Sequence, residues 1–120
     1  KDYPAAQESF TKALSIDPDY IEANTNIAYA YINQIVAESY SGKFKYVGTG
    51  KVVPMKDKAL YEKELATVKS YYQKALPHMQ KVRELKPEEP RKWAYTLQMI
   101  YENLQMKAEK AEIDEIIKTL

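Results

Sequence analysis

The sequence lacks several residue types on which whole classes of protein depend. Its 120 residues include no cysteine, only three glycines and a single histidine. Without cysteine the chain has neither a disulfide nor a thiolate ligand for a metal, and so few glycines favour a helical protein. The compartment does not follow from the missing cysteine, because a large helical core needs no disulfide.

Charge of one sign and long apolar runs are also lacking. The net charge is +1 with 29% charged residues, which gives no overall attraction to nucleic acid, to a membrane or to an acidic substrate. The longest apolar stretch, Ile27 to Ile32, is far too short to cross a bilayer. No signal peptide is visible, but the sequence opens inside a helical pattern, so we expect it to be a fragment of a longer protein.

The residues of an enzyme site are sparse, and we expect no catalytic residue, no metal site and no cofactor. His78 is the single histidine, next to an apolar position, and is expected at the surface in a half-exposed place. Glu62 and Glu64 point to different sides of a helix and are expected to be solvated. Residues 48–51 (GTGK) lack the earlier glycine and the following hydroxyl of a phosphate-binding loop, and they precede no helix.

What the sequence does contain is helical spacing. Apolar residues recur at steps of three and four, which predicts an all-α chain. The predicted helices are residues 3–16, 20–40, 57–86, 90–104 and 106–118, within one domain of residues 1–120. Asp17-Pro18 and Lys86-Pro87 end two of them, because a residue that precedes proline avoids the helical conformation. Asp19 and Glu22 have the spacing of a capping box for the second helix.

The third predicted helix has a long apolar seam with alternating steps of four and three, typical of coiled-coil packing. Its members are Tyr61, Leu65, Val68, Tyr72, Ala75, Met79 and Val82. Pro77 lies inside this helix and predicts a kink rather than a break, because proline removes one backbone hydrogen bond and leaves the seam intact.

Residues 41–56 form an insertion between the second and third helices, since they break the helical period. Residues 42–56 predict either a β-hairpin or an extended loop. We expect Phe44, Tyr46 and Val52 to fold back over the start of the seam, which otherwise lacks a helical partner.

A thirteen-residue frame occurs twice, at residues 6–18 and 75–87, with small or apolar first, fifth and eighth places and a final proline. In this register the chain resembles the tetratricopeptide repeat (TPR) family, whose helix–turn–helix units have small residues where two helices touch. The matching residues are Tyr3, Ala6, Phe10, Ala13, Leu14 and Pro18, then Ile27, Ala28 and Tyr31, then Tyr72, Ala75, Met79, Val82 and Pro87, and finally Trp93, Leu97 and Tyr101.

The resemblance implies an α-solenoid of about two and a half TPR units. The middle unit is stretched into an extended helical arm, ahead of Ala75-Leu76-Pro77-His78, as in a subgroup of bacterial TPR proteins. That likeness implies a protein of the bacterial cell envelope or periplasm. The last helix, 106–118, is expected to cap the stack.

The same resemblance implies a non-catalytic scaffold that binds a peptide or protein on its concave face or on its arm. The partner-binding residues that it implies are Glu22, Asn26, Tyr29, Asn33, Lys92, Tyr95, Met99 and Asn103. Met99 and Asn103 occupy the places of the basic pair in the family's carboxylate clamp, so recognition of a C-terminal carboxylate is not expected. The identity of the partner does not follow from any of these patterns.

Two alternatives remain open. One is a structural role, in which the chain associates with itself through its first helix or its arm. The other is weak binding of an anion or of single-stranded nucleic acid by residues 43–51, where three lysines alternate with Phe44 and Tyr46. An enzyme would need a site outside this sequence.

Overall fold

The computed structural model describes residues 2–120, so Lys1, the first residue of the predicted domain, lies outside the described residues. The α-helices are α1 (Tyr3–Ile16), α2 (Ile21–Tyr40), α3 (Lys58–Leu85), α4 (Ala94–Asn103) and α5 (Lys107–Ile117). Two 3-10 turns, Met55–Asp57 and Pro90–Lys92, precede α3 and α4. The prediction of an all-α chain is confirmed.

Local chemistry explains where the first helix begins and ends. The carboxylate of Asp2 accepts a hydrogen bond from the backbone N–H of Ala5 at 3.0 Å, and Pro4 occupies the first turn of α1. Both features favour the start of a helix. At the other end, Asp17 is extended, as expected of a residue before a proline.

The capping box predicted for α2 is wrong. Tyr20 is the N-cap residue, and it makes no side-chain capping bond. Asn24, one turn into the helix, instead donates from its amide nitrogen to the carbonyl oxygens of Pro18 and Tyr20, each at 3.0 Å. The turn between α1 and α2 is therefore closed by a buried side chain from inside the second helix.

The long third helix continues through Pro77 without a break. Of the predicted seam, five members are buried in its C-terminal two thirds, namely Val68, Tyr72, Ala75, Met79 and Val82. Tyr61 and Leu65, at its start, are half-buried. The coiled-coil spacing therefore gives the side of α3 that packs against the other helices.

The insertion is an irregular loop, so the β-hairpin alternative is wrong for a segment that lies wholly within the described residues. Phe44 and Tyr46 are buried, as expected, and Phe44 joins the main core with Val68. Val52 is 90% exposed, and its predicted covering role is wrong. The β-hairpin does not form because backbone N–H groups near Phe44 donate to Glu64 of α3 rather than to a second strand.

The helices pack in chain order, α1 on α2, α2 on α3, α3 on α4 and α4 on α5. The result is an elongated and thin molecule of 48 × 35 × 18 Å. The largest fully buried side chains lie along this stack and are Ile27, Met79, Val82, Leu97, Ile100 and Ile113. Burying each of these stabilises the fold by roughly 1.5–3 kcal/mol before the entropy of ordering is counted.

Candidate functional site

One face of α2 is exposed along its whole length. The exposed residues of this face, which we name the α2 row, are Glu22, Asn26, Tyr29, Asn33, Val36 and Tyr40. The opposite side of the helix holds buried residues such as Ile27, Ala28 and Ile35, which fix the orientation of α2 against its neighbours. The first four members of the row are four of the eight residues predicted to bind a partner.

Two shallow depressions lie beside the α2 row. The first, of about 380 Å³, is the Glu22 depression, and it is lined by Ile21, Glu22, Thr25, Asn26, Tyr29 and Lys92. The second, of about 280 Å³, is the Phe10 depression, and it is lined by Tyr3, Ala6, Phe10, Asn26, Tyr29, Ala30 and Asn33. Asn26 and Tyr29 line both, so the two depressions adjoin each other along α2, and we call the pair the α2 channel.

The structure therefore brings five of the predicted residues together, the four from α2 together with Lys92. The other three, Tyr95, Met99 and Asn103, are exposed on α4 but line neither depression. The side-chain amide of Asn103 also donates to the backbone carbonyl of Met99 at 2.8 Å. The α4 residues thus lie outside the channel.

The charges of the channel are concentrated at its Glu22 end. The Glu22 carboxylate accepts a hydrogen bond from the Tyr20 hydroxyl at 3.3 Å. The Lys92 ammonium lies 3.9 Å from the Glu89 carboxylate, an exposed and therefore weak ion pair. Toward Asn33 the channel has only amides, two phenols and apolar side chains, so it matches an uncharged segment of a partner there.

A buried polar contact supports the Glu22 end from behind. The Asn24 side-chain oxygen lies 3.2 Å from Nδ1 of His78 on α3. Because the Asn24 nitrogen already donates to two carbonyls, its oxygen is the acceptor and Nδ1 carries a proton. Burial lowers the pKa of His78. The histidine is half-buried and joins two helices, a role that its position in the sequence does not reveal.

A second polar cluster fixes the insertion, and the expectation that Glu64 is solvated is wrong. Its carboxylate accepts backbone N–H bonds from Lys45, Tyr46 and Val47 at 2.7, 3.0 and 3.1 Å. Burial raises the pKa of Glu64, but the three N–H donors together outweigh that effect and leave the pKa below its ordinary value. The Tyr46 hydroxyl donates in turn to Asp57.

A third cluster, around Glu38, joins α3 and the insertion to α2. This carboxylate accepts from the Tyr71 hydroxyl at 2.8 Å and lies 2.6 Å from the Lys43 ammonium. Gln34 donates to it at 2.8 Å. Burial raises the pKa of Glu38, yet these donors leave it lowered overall. The base of the insertion is therefore held by two buried or half-buried carboxylates.

A larger depression, of about 460 Å³, lies elsewhere, at the turn between α4 and α5. Its lining residues are Tyr101, Glu102, Gln105, Met106, Lys107 and Lys110, and none of the predicted binding residues is among them. Its size alone does not make it a reaction site.

Within residues 2–120, no group of three or more histidine, aspartate or glutamate side chains is placed to hold a metal ion. Among the helices described here, none combines the length and apolar character needed to traverse a bilayer.

Comparisons of the chain with protein-family models, with curated proteins and with solved structures found no match. The fold and the surface therefore define only a class, an all-α protein whose helices pack in chain order beside an exposed channel.

Proposed function

We propose that this chain is a non-catalytic scaffold of the TPR type, an α-solenoid that binds a segment of another protein in the channel along α2. The proposal combines the repeated sequence frame with the shape of the channel. The repeated frame supports the class of repeat, and the channel supports the kind of partner.

The small residues of the repeated frame support the solenoid. Ala28 and Ala75 have no exposed surface, as expected of positions where two helix backbones approach closely. Helices that pack mainly on their neighbours in the chain are also what stacked repeats produce. The polar exposed face of α5, which includes Lys107, Glu112 and Glu115, suits a terminal capping helix.

The two adjoining depressions of the α2 channel are the observation that carries the proposed binding function. From Ile21 to Asn33 the channel follows α2 for about 18 Å, at 1.5 Å of rise for each residue. That length accommodates about five residues of extended chain. Enclosed reaction sites are deeper and have convergent titratable groups, whereas an open channel with exposed amides and phenols is suited to a peptide.

The chemistry of the channel favours a partner with a free backbone and one apolar side chain. Asn26 and Asn33 each present a donor and an acceptor, the two functions that pair with a peptide group. The same depression is lined by two small side chains, Ala6 and Ala30, and by the aromatic side chain of Phe10. An apolar side chain of the partner fits above the alanines while its backbone bonds to the asparagines.

The structure does not favour the nucleic-acid alternative. Phe44 and Tyr46, the proposed stacking residues, are buried. Lys43 and Lys45 lie 2.6 and 3.3 Å from the carboxylates of Glu38 and Asp57. Binding of single-stranded nucleic acid needs exposed aromatic faces and unpaired cations, so this segment offers only part of what is required.

Self-association through α1 is also not favoured by its surface. No residue of α1 is fully buried, but its exposed side is mainly polar. The residues of that side include Glu8, Ser9, Thr11, Lys12 and Ser15. A helix face of this kind has little apolar area with which to hold a second chain.

Selection of peptides from a displayed random library tests the proposal. We expect the wild-type chain to enrich peptides and Tyr29→Ala to lose that enrichment, because Tyr29 lines both halves of the channel. Ile16→Ala is the matched control, since Ile16 is exposed and lies outside both depressions. Tyr95→Ala tests whether binding extends onto α4.

Circular dichroism of each variant must match the wild type, because only then does a loss of binding report on the surface. Enriched peptides that bind Tyr29→Ala as well as they bind the wild type would contradict the proposed channel. Peptides that lose affinity for Tyr95→Ala and not for Tyr29→Ala would move the site to α4.

A further inference from the structure

We infer that the α2 row binds a second copy of this chain, so that two α2 helices pack antiparallel about a two-fold axis. This inference goes beyond the proposed function, because it uses the same face of α2 but its partner is a folded helix of a second copy and not an extended segment of another protein. Three independent properties of the row lead to it: its spacing, its shape and the charges at its ends.

The spacing of the α2 row is that of a helix–helix seam. Its six members follow one another at steps of four, three, four, three and four. This is the 3.5-residue period at which one helix packs continuously against another. Tyr29, Val36 and Tyr40 are nevertheless 42%, 51% and 89% exposed, so the seam has no partner within the described chain.

The row is its own complement when one copy is reversed. Reversal about position 31 pairs Tyr29 with Asn33, Asn26 with Val36, and Glu22 with Tyr40. The first of these pairs occurs twice beside the axis, and in each the phenol of Tyr29 meets an amide. In the outermost pairs, about 14 Å along the helix from the axis, the Tyr40 hydroxyl donates to the Glu22 carboxylate of the other copy.

The shape of the surface agrees with this register. Tyr40 is the most exposed member of the row and projects at one end of α2. The Glu22 depression, of about 380 Å³, lies at the other end and is large enough to receive a tyrosine ring. Glu22 provides an acceptor for its hydroxyl there, and Lys92 provides a cation for the face of the ring. Each copy therefore offers both a projection and a recess at mirrored positions.

The charges at the two ends of α2 are opposite in sign. Residues 17–22 contain three acids, Asp17, Asp19 and Glu22, and no base. Residues 41–51 contain three lysines and no acid. Asp19 is paired with Lys81, and Lys43 and Lys45 are paired with Glu38 and Asp57. The charges at the two ends that form no ion pair among the described residues are those of Asp17 and Glu22 at one end and of Lys51 at the other. An antiparallel pair places unlike ends together and a parallel pair places like ends together, so electrostatics favour the antiparallel one.

Sedimentation velocity over a concentration series tests the pairing. We expect the wild type to form a concentration-dependent dimer that weakens as salt is raised. Tyr40→Glu places a carboxylate against Glu22 of the other copy, and we expect it to weaken the dimer by about tenfold or more. Tyr40→Lys is the matched control with the opposite charge, and we expect it to retain the dimer, because it meets the Glu22 carboxylate while the nearby Lys92 is paired with Glu89. Tyr40 is exposed, so neither change disturbs the fold.

A charge reversal tests the register itself. The double variant Glu22→Lys with Tyr40→Glu restores opposite charges across the pair, and we expect it to recover the dimer that Tyr40→Glu alone has lost. Recovery requires position 22 of one copy to lie beside position 40 of the other. It would not follow from a pairing through α1 or through the tip of the insertion.

The absence of cysteine allows an independent measurement of distance. A single spin label at Ala37→Cys, an exposed position beside the row, reports the separation of the two copies. The antiparallel register predicts about 20 Å between the two backbones, and a parallel register predicts about 10 Å. The shorter distance would overturn the inference.

The inference and the proposed function can fail separately. The pairing is overturned if the wild-type chain stays monomeric up to roughly 1 mM. The free energy of dimerisation would then be weaker than about 4 kcal/mol. If that monomer still selects peptides through Tyr29, the channel binds a different protein and only the pairing is lost. A dimer that Tyr40→Glu does not weaken, or that the double variant does not recover, also overturns the pairing.

Discussion

Nδ1 of His78 lies 3.2 Å from the side-chain oxygen of Asn24, and this bond joins α3 to the turn between α1 and α2. The Asn24 nitrogen holds that turn through the carbonyls of Pro18 and Tyr20. One buried amide therefore fixes the entry of α2, and a half-buried imidazole fixes the amide. The Glu22 end of the channel is built on this pair.

The stability of the protein should decrease as His78 becomes protonated. Burial lowers the pKa of His78 in the folded state below its ordinary value of 6.5, so the unfolded chain binds a proton more readily. Stability therefore rises with pH across this range and falls as pH is lowered through 6.5. We expect the free energy of unfolding of the wild type, measured with urea, to decrease between about pH 7.5 and pH 5.5.

His78→Gln provides the control for that measurement. Glutamine keeps a hydrogen-bond donor for Asn24 but does not titrate, so its stability should change less over the same range. An equal change in the two proteins would show that another group titrates and that His78 is not the cause.

Glu64 is expected to be essential for the order of the insertion. Glutamine at this position offers one oxygen instead of two, and its amide group opposes one of the three backbone N–H donors. We expect Glu64→Gln to lower the free energy of unfolding by roughly 1–3 kcal/mol in denaturant titration. Glu62→Gln is the matched control, because the Glu62 side chain is 62% exposed, and it should have little effect.

The same carboxylate predicts a loss of stability in acid. The folded pKa of Glu64 is lowered, so its contribution is present above the unfolded value of 4.5 and is lost as pH falls through the folded pKa. The stability of Glu64→Gln should therefore fall less steeply below about pH 4.5 than that of the wild type. Parallel acid curves for the two proteins would contradict the assigned role.

The contrast between Glu62 and Glu64 shows what the sequence can predict and what it cannot. The α3 seam was predictable because its apolar residues recur every three or four positions along one helix. The role of Glu64 depends on three N–H groups that lie 17 to 19 residues away in sequence and reach it only through the path of a loop. No local pattern encodes that path, so both glutamates were expected to be solvated.

The candidate site was predictable to a similar extent. The apolar spacing of α2 predicts which side of the helix is buried and therefore which side is exposed. The exposed positions of Asn26 and Tyr29 were predictable in this way. The separation of Tyr95 and Met99 from the channel depends on how α4 packs on α3, after a 3-10 turn that replaces the start of the predicted helix. Packing of this kind is a property of the tertiary structure and has no signature in spacing.

Two glycines of the insertion should differ in how they tolerate a side chain. Gly48 and Gly50 have φ angles of +77° and +75°, in the left-handed region that residues with a Cβ rarely adopt. A Cβ at Gly48 would lie 3.1 Å from the Ser39 hydroxyl oxygen, whereas a Cβ at Gly50 meets nothing within 4 Å. We expect Gly50→Ala to cost about 1 kcal/mol of stability from the backbone alone.

Gly48→Ala should cost more than Gly50→Ala, because it adds the close approach to Ser39 to the same backbone strain. Thermal unfolding of the two variants checks the order. If Gly48→Ala is the more stable of the two, the approach of Gly48 in the insertion to Ser39 at the end of α2 is not close enough to exclude a methyl group.

Leu97 should be a sensitive position of α4. It is fully buried, and truncation to alanine both removes apolar contact and leaves a cavity, so we expect Leu97→Ala to lower the free energy of unfolding by about 2–5 kcal/mol. Met99 on the same helix is exposed, and Met99→Ala should change stability by about 0.5 kcal/mol or less. Urea titration of the pair measures the difference, and similar losses in both variants would mean that the face of α4 assigned to the core is wrong.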